Sequence, residues 1–226
     1  MVTAATIQAK INYGLGKVGA KTGSAYAWYR PGTVAGAVVQ AGNLLGSINA
    51  LITPTPALVP GPVPMGKPDV YGGFDPTLVE TGDYLVGQGF TYFIGSYLPL
   101  AGVSHLFTCN ETFTLTRGTP APPGPGNRGG GGFGNTILAV GFPGWVAAGD
   151  RRQPSPLHLP GQVQMPTVNI LLPTSLALQI EGDDRLVTND STPQKYLVQS
   201  ADLSPNGWKI VAISAGMAVA SDLVAS

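Results

Sequence analysis

Two stretches of the chain carry the same alternation of apolar and polar positions. Gly82-Asp83-Tyr84-Leu85-Val86 is followed by Tyr92-Phe93-Ile94-Gly95-Ser96, and about a hundred residues later Gly182-Asp183-Asp184-Arg185-Leu186-Val187 is followed by Tyr196-Leu197-Val198-Gln199-Ser200. Each copy reads as a Gly-Asp turn, a short apolar strand, a polar turn and a strand alternating around a tyrosine. A further strand follows in each, Leu106 to Leu115 in the first and Trp208 to Ile213 in the second. The pattern predicts a β-meander made twice, with Tyr92 and Tyr196 in the core and the Gly-Asp pairs as turns.

Upstream the period changes. Ile7, Ile11, Leu15 and Val18 form one helical stripe with Lys10, Lys17 and Lys21 off it, which predicts a short amphipathic helix. Gly14, Gly16 and Gly19 each weaken it by roughly 1 kcal/mol relative to Ala, so it needs a packing surface. Tyr26 to Pro31, Val34 to Gln40 and Leu44 to Ile52 read as strands, the last two flanking Ala41-Gly42-Asn43. Six prolines between Thr53 and Pro68 exclude a central strand and predict an extended, partly polyproline-like arm. Gly118 to Gly134 contains twelve Gly or Pro in seventeen residues, a domain hinge or a hairpin tip. As a flexible linker it would span on the order of 20–25 Å. Thr136 to Val140, Phe142 to Trp145, Leu157 to Met165 and Val168 to Pro173 supply the remaining apolar runs.

The expected fold class is therefore mostly β: two small β-barrel or sandwich-like modules built on the repeated β-meander, with an N-terminal amphipathic helix and extended Pro/Gly-rich arms. The expected division is residues 1–117 for helix and first module, with the arm at 53–68, then 118–134 as linker or hairpin tip, and 135–226 as second module.

Composition changes this picture in one respect. Only 11% of the 226 residues are charged, against about 25% in an average soluble protein. So few charges solvate a monomer's surface poorly and predict that other subunits cover part of it. Twelve basic and twelve acidic residues cancel, leaving no basic face for nucleic acid. A single cysteine, Cys109, makes no internal disulfide. Met1 to Ala20 lacks the continuous apolar core of a signal peptide, and no window is long and apolar enough for a membrane helix, so synthesis and assembly in a cytoplasm are expected.

Candidate chemistry is sparse. Gly14-Leu15-Gly16-Lys17-Val18-Gly19 matches the dinucleotide fingerprint, but it sits inside a helical pattern and no acidic residue precedes Asp69. Small residues allowing close helix packing explain it better. His105 and His158 lie in different modules without metal-ligand spacing. Asp183, Asp184 and Asp190 suggest calcium only weakly, since the EF-hand pattern is missing. Ser104-His105 is the one nucleophile and base adjacency, and strand neighbours point to opposite faces. Cys109 reads as a buried small hydrophobe. Glu80, Glu111 and Glu181 have no spacing that selects a glycosidase pair. Asn110-Glu111-Thr112 and Asn189-Asp190-Ser191 match the glycosylation sequon by coincidence. Tyr26, Trp28, Tyr29, Trp145 and Trp208 read as core or subunit contact first and as ligand-stacking platforms second. No catalytic, cofactor or metal residue is assigned, and no cofactor is expected.

Gly82-Asp83-Tyr84-Leu85-Val86 with Thr91-Tyr92-Phe93-Ile94 and Cys109-Asn110 resembles small virion proteins of tailed bacteriophages. Tyr13-Gly14-Leu15-Gly16, Tyr29-Arg30-Pro31, Leu159-Pro160-Gly161-Gln162 with Met165-Pro166, Ile170-Leu171-Leu172-Pro173, Gly182-Asp183, and Ser200-Ala201-Asp202-Leu203 with Gly207-Trp208 are similar to the same group. The resemblance implies a neck component of the head-completion, head-to-tail connector or collar class: a non-enzymatic structural protein of the virion. It implies a homo-oligomeric ring of about six or twelve subunits, touching portal, adaptor or tail proteins and assembled in the bacterial host cytoplasm. A tail-terminator, baseplate or decoration protein is the nearest alternative. A glycan-binding β-module at a receptor-binding tip, stacking sugars on Trp28, Trp145 or Trp208, is the alternative from another class.

Overall fold

The computed structural model describes residues 3–32, 36–58, 67–98, 102–120, 133–149, 166–175 and 179–217. The chain is mostly β with one N-terminal helix. Helix α1 spans Ala4–Thr22, opened by the Thr3 hydroxyl accepting from the Thr6 amide and closed at Gly23. The first sheet contains β1 (Ser24–Tyr29), β2 (Leu44–Thr53), β3 (Asp69–Gly73), β4 (Tyr84–Gly87), β5 (Phe90–Leu98) and β6 (Val103–Cys109). The second contains β7 (Glu111–Pro120), β8 (Phe133–Ala148), β9 (Thr167–Leu172), β10 (Arg185–Thr188), β11 (Gln194–Ser204) and β12 (Gly207–Met217).

Both sheets close. The first runs β1-β2-β3-β6-β5-β4 and returns to β1, and the second runs β7-β8-β9-β12-β11-β10 and returns to β7. The strand orders correspond one to one. Ladder positions correspond too: Leu85 faces Tyr92 and Leu186 faces Tyr196, while Ile94 faces Leu106 and Val198 faces Ala212. Each ladder then slips by a bulge at the same place, after Ile94 and after Val198.

Alternation along these strands fills each barrel from inside. Tyr26, Ile48, Val70, Phe74, Leu85, Tyr92, Ile94 and Leu106 pack in the first. In the second, Phe113, Leu115, Phe142, Ile170, Leu186, Tyr196, Val198 and Ala212 do the same. The outward neighbours on β4, β5 and β6 are also buried, because Tyr84, Phe93 and Phe107 join the core of the second barrel. Phe93 and Phe107 stack at 5.0 Å, and the Tyr84 hydroxyl donates to the Pro143 carbonyl at 2.9 Å. One core thus runs across the seam between the barrels.

Several expectations are corrected. Leu106 to Leu115 is two strands that part at Asn110, one in each barrel, because β7 pairs with β8 and β10. The crossover between barrels therefore falls at Asn110, upstream of the glycine-rich stretch. The strands that flank it, β7 and β8, pair with each other up to Pro120 and Phe133, which agrees with the hairpin alternative and not with a hinge between domains. Residues 36–40 form no strand; the Val38 amide donates to the Gly141 carbonyl, which seats a fully buried Val38 on the second barrel. Thr136 to Trp145 is one strand with positive φ at Gly141, where Ala37 approaches too closely for a side chain. Helix α1 is rotated from its apolar stripe: Leu15 and Gly19 are buried, whereas Ile7 and Val18 are exposed. The reason is proximity, since a Cβ on Gly19 would stand 2.5 Å from the Asn49 carbonyl of β2 and 2.9 Å from that of Gly73 on β3. The core of the proline-rich arm (59–66), residues 121–132, the Leu157 to Met165 run, His158 and residues 218–226 lie outside the described residues.

Gly19→Val is expected to push α1 off the first barrel at a cost of about 1–3 kcal/mol. Faster amide hydrogen exchange confined to α1 and its contacts on β2 and β3 is the expected readout; unchanged protection would refute the close packing.

Burial raises the hydroxyl pKa of Tyr26, Tyr92 and Tyr196, and of Tyr84 most clearly, with Tyr92 pushed up to about 12. These groups hold their protons more tightly folded than unfolded, so their stabilisation is complete below the ordinary value of 10.0 and lost as pH rises toward 12. Denaturant midpoints should thus be level near pH 9 and fall above about pH 10, with a smaller fall in Tyr92→Phe.

Candidate functional site

The ionisable side chains with the most developed geometry sit at matched positions, where the first strand of each barrel meets the turn before the fourth. Asp83 is buried, with a side chain only 2% exposed, and accepts four bonds of 2.8 Å. They come from Trp28 Nε1, from Arg30 Nε and Nη2, and from the Glu80 amide. Arg30 Nη1 reaches Glu80 Oε1 at 2.8 Å, and the guanidinium lies over the Trp28 ring. In the second barrel Asp184, 1% exposed, accepts from Arg117 Nε at 2.7 Å, from Arg117 Nη2 at 2.8 Å and from the Glu181 amide at 2.8 Å. Arg117 also reaches Glu181 at 3.4 Å and the Gln179 carbonyl at 2.8 Å.

The logic is the same in both. An aspartate two covalent bonds from the backbone folds over its own turn to cap the amide three residues before it, and a bidentate arginine neutralises it. The hydrogen bond to the aspartate raises each arginine's pKa further. These brackets pin the first strand to the fourth and so close each barrel. Structurally, Asp83 corresponds to Asp184 and Gly82 to Asp183, which has φ of +71°. Matching Gly82-Asp83 with Gly182-Asp183, as the sequence suggests, is therefore one position out of step. Glu-x-x-Asp, at Glu80–Asp83 and Glu181–Asp184, is the signal both halves share, whereas Arg30, just past β1, and Arg117, inside β7, carry no local mark of their role.

A second cluster lies at the barrel seam. A cavity of about 310 Å³ is lined by Asp69, His105, Phe107, Trp145, Ser204, Asn206 and Lys209, among others. His105 Nε2 and Asp69 Oδ1 are 2.9 Å apart, and the imidazole stacks on Tyr71 at 5.2 Å. The neighbouring Ser104 is 2% exposed. A third concavity, on the other side of the crossover, is bordered by Cys109, Glu111, Asn189 and Asp190. Desolvation and then the Asp190 charge raise the Glu111 pKa, and burial pushes the Cys109 thiol far up, so that it stays protonated. Asp190 accepts from the Thr188 hydroxyl, and Asn110 bonds both backbone groups of Val146.

Of the aromatic candidates, Tyr26 and Trp208 are buried, Tyr29 packs against the shared core, and the Trp28 nitrogen is spent on Asp83. Trp145 lines the seam cavity. Among the described residues there is no group of three metal-ligating side chains, and no helix is long and apolar enough to cross a membrane. Large apolar side chains are exposed at Ile7, Tyr13, Leu44, Leu45, Phe90, Leu203 and Met217.

No protein-family model, curated protein or solved structure matches the chain.

Arg117→Met is expected to cost about 3–5 kcal/mol, because it strands a buried carboxylate, whereas adding Asp184→Leu to it should recover most of that loss. Urea denaturation of the single and double variants measures both; equal loss in the two would refute a charge-neutralising bracket.

Proposed function

We propose that this protein is a non-enzymatic structural subunit of a tailed phage particle. It assembles as a homo-oligomeric ring in the neck, as a head-closure, head-to-tail connector or collar component joining the portal side to the tail. The observation that carries this reading is the surface: among the described residues eight large apolar side chains are exposed to between 46% (Leu44) and 74% (Met217), on a chain with 11% charged residues. Such a surface is disfavoured in a solitary protein and suits subunit packing. Among the described residues the buried carboxylates, Asp83 and Asp184, serve barrel closure. Closed barrels leave no strand edge to aggregate, so association proceeds through side chains, as a ring of defined size requires. The resemblance of the Gly82-Asp83 to Ile94, Gly182-Asp183 and Ser200 to Trp208 motifs to small virion proteins of tailed bacteriophages supports a phage particle and implies the neck. Tail-terminator, baseplate and decoration roles share this physics and differ in neighbours.

A second reading rests on the seam cavity, where Trp145 offers an aromatic wall beside Asp69, His105, Ser204, Asn206 and Lys209, the mixture that sugars need.

Native mass spectrometry of the purified chain should give a single closed oligomer, and cryo-microscopy of the parent particle should place it at the neck. A monomer at high concentration together with neck density that excludes this chain would sink the proposal. Glycan-array binding abolished by Trp145→Ala would establish the second reading instead.

A further inference from the structure

The matched strand orders allow one face of each barrel to be compared with its counterpart. In the first barrel Tyr84, Phe93 and Phe107 are covered by the second barrel. The same ladder positions in the second barrel hold Arg185, Leu197 and Ile213. These three are half-buried, and among the described residues no further barrel covers them. A concavity of about 500 Å³ opens beside them, lined by Arg117, Glu181, Asp183, Arg185 and Leu197 among others.

The receiving face can be compared in the same way. The second barrel receives the first partly through β8, which packs against β5 and β6, with Pro143 accepting from Tyr84. In the first barrel the positions of Pro143 and Leu171 are held by Asn49 and Gly73, and these lie under α1 at Gly19. The molecule is thus a series: helix, first barrel, second barrel, open face. Its two ends are unlike, as a ring's head-to-tail contact requires.

The ends also complement one another in charge and polarity. Helix α1 carries Lys10, Lys17 and Lys21 and no acidic residue, and it exposes Ile7, Tyr13 and Val18, with Lys17 over the Tyr13 ring at 4.5 Å. The open face offers Leu197 and Ile213 beside Arg185, with exposed Glu181 and Asp183 at its rim, Glu181 lying 3.4 Å from Arg117. We propose that the outer face of α1 of one copy seats on the Arg185-Leu197-Ile213 face of the second barrel of the next copy. This contact rests on the ring reading and specifies the two surfaces that build it. The apolar side chains supply buried area, and the lysines against Glu181 and Asp183 set orientation and association rate.

The test mixes two full-length chains, one carrying Val18→Cys and the other Leu197→Cys, under mild oxidation, with assembly followed by native mass spectrometry. Cross-linked dimer should form in the mixture and not from either chain alone. A chain carrying Ile7→Asp with Val18→Asp should keep its thermal midpoint, because both side chains are exposed, while its apparent dissociation constant for assembly rises by about tenfold or more. Leu197→Arg, on the opposing surface, should weaken assembly similarly. Oligomers that form normally in all these variants without the mixed disulfide would overturn the contact and leave the ring reading standing. A wild-type chain that stays monomeric at high concentration would overturn both.

Discussion

The seam between the barrels is the constraint on which the rest depends. A strand in a small barrel ordinarily has one dry face and one wet face, but here β5 and β6 are dry on both: Tyr92, Ile94 and Leu106 fill the first barrel, and Phe93 and Phe107 fill the gap to the second. Burying aromatic rings of this size stabilises by several kcal/mol each, more than a small barrel's own interior can easily spare. The crossover at Asn110 holds the second barrel in place without slack, with the Asn110 amide donating to the Gly144 carbonyl at 2.9 Å. Glycine is needed at the tightest approaches. At Gly95 a Cβ would stand 3.2 Å from the Asn206 carbonyl and closer still to the Phe107 ring.

Barrel closure is a separate problem, solved twice by the same device. The first and fourth strands of each barrel share only a short ladder, of three residue pairs in the first barrel and four in the second. A buried aspartate at the turn, tied to an arginine on or just past the first strand and to a backbone amide of its own turn, joins what that ladder holds weakly. Desolvating a carboxylate is costly, and the bidentate arginine with its companion bonds offsets that cost. The device consumes charge that a poorly charged chain has little of.

Local patterns carried much of this. Alternation around Tyr92 and Tyr196 is enough to expect strands with inward tyrosines, and both are in the cores. Three glycines in a helical stretch are enough to expect close packing, which Gly19 makes against two backbone carbonyls. Other features were not legible, because they depend on partners distant in sequence. Ile7 and Val18 look like the buried stripe by periodicity, yet the backbone of β2 and β3 accepts only a glycine at closest approach, and this turns the helix away from them. Leu106 to Leu115 reads as one apolar strand, since nothing in its composition marks Asn110 as the point where the chain changes barrels. Val38 is apolar enough for a strand and is instead a plug.

What the chain's sequence determined by itself is the mostly β class, the N-terminal helix and the strands around Tyr92 and Tyr196, because side-chain periodicity and glycine and proline chemistry act over a few residues. The tertiary structure alone decided which acid in each half is buried, Asp83 and Asp184, since their arginines arrive from strands more than fifty residues away. It likewise decided which apolar faces are core and which are left outward. Phe93 and Leu197 hold the same ladder position in equivalent strands, yet one is sealed and the other half open, because among the described residues only the first barrel has this face covered by another barrel.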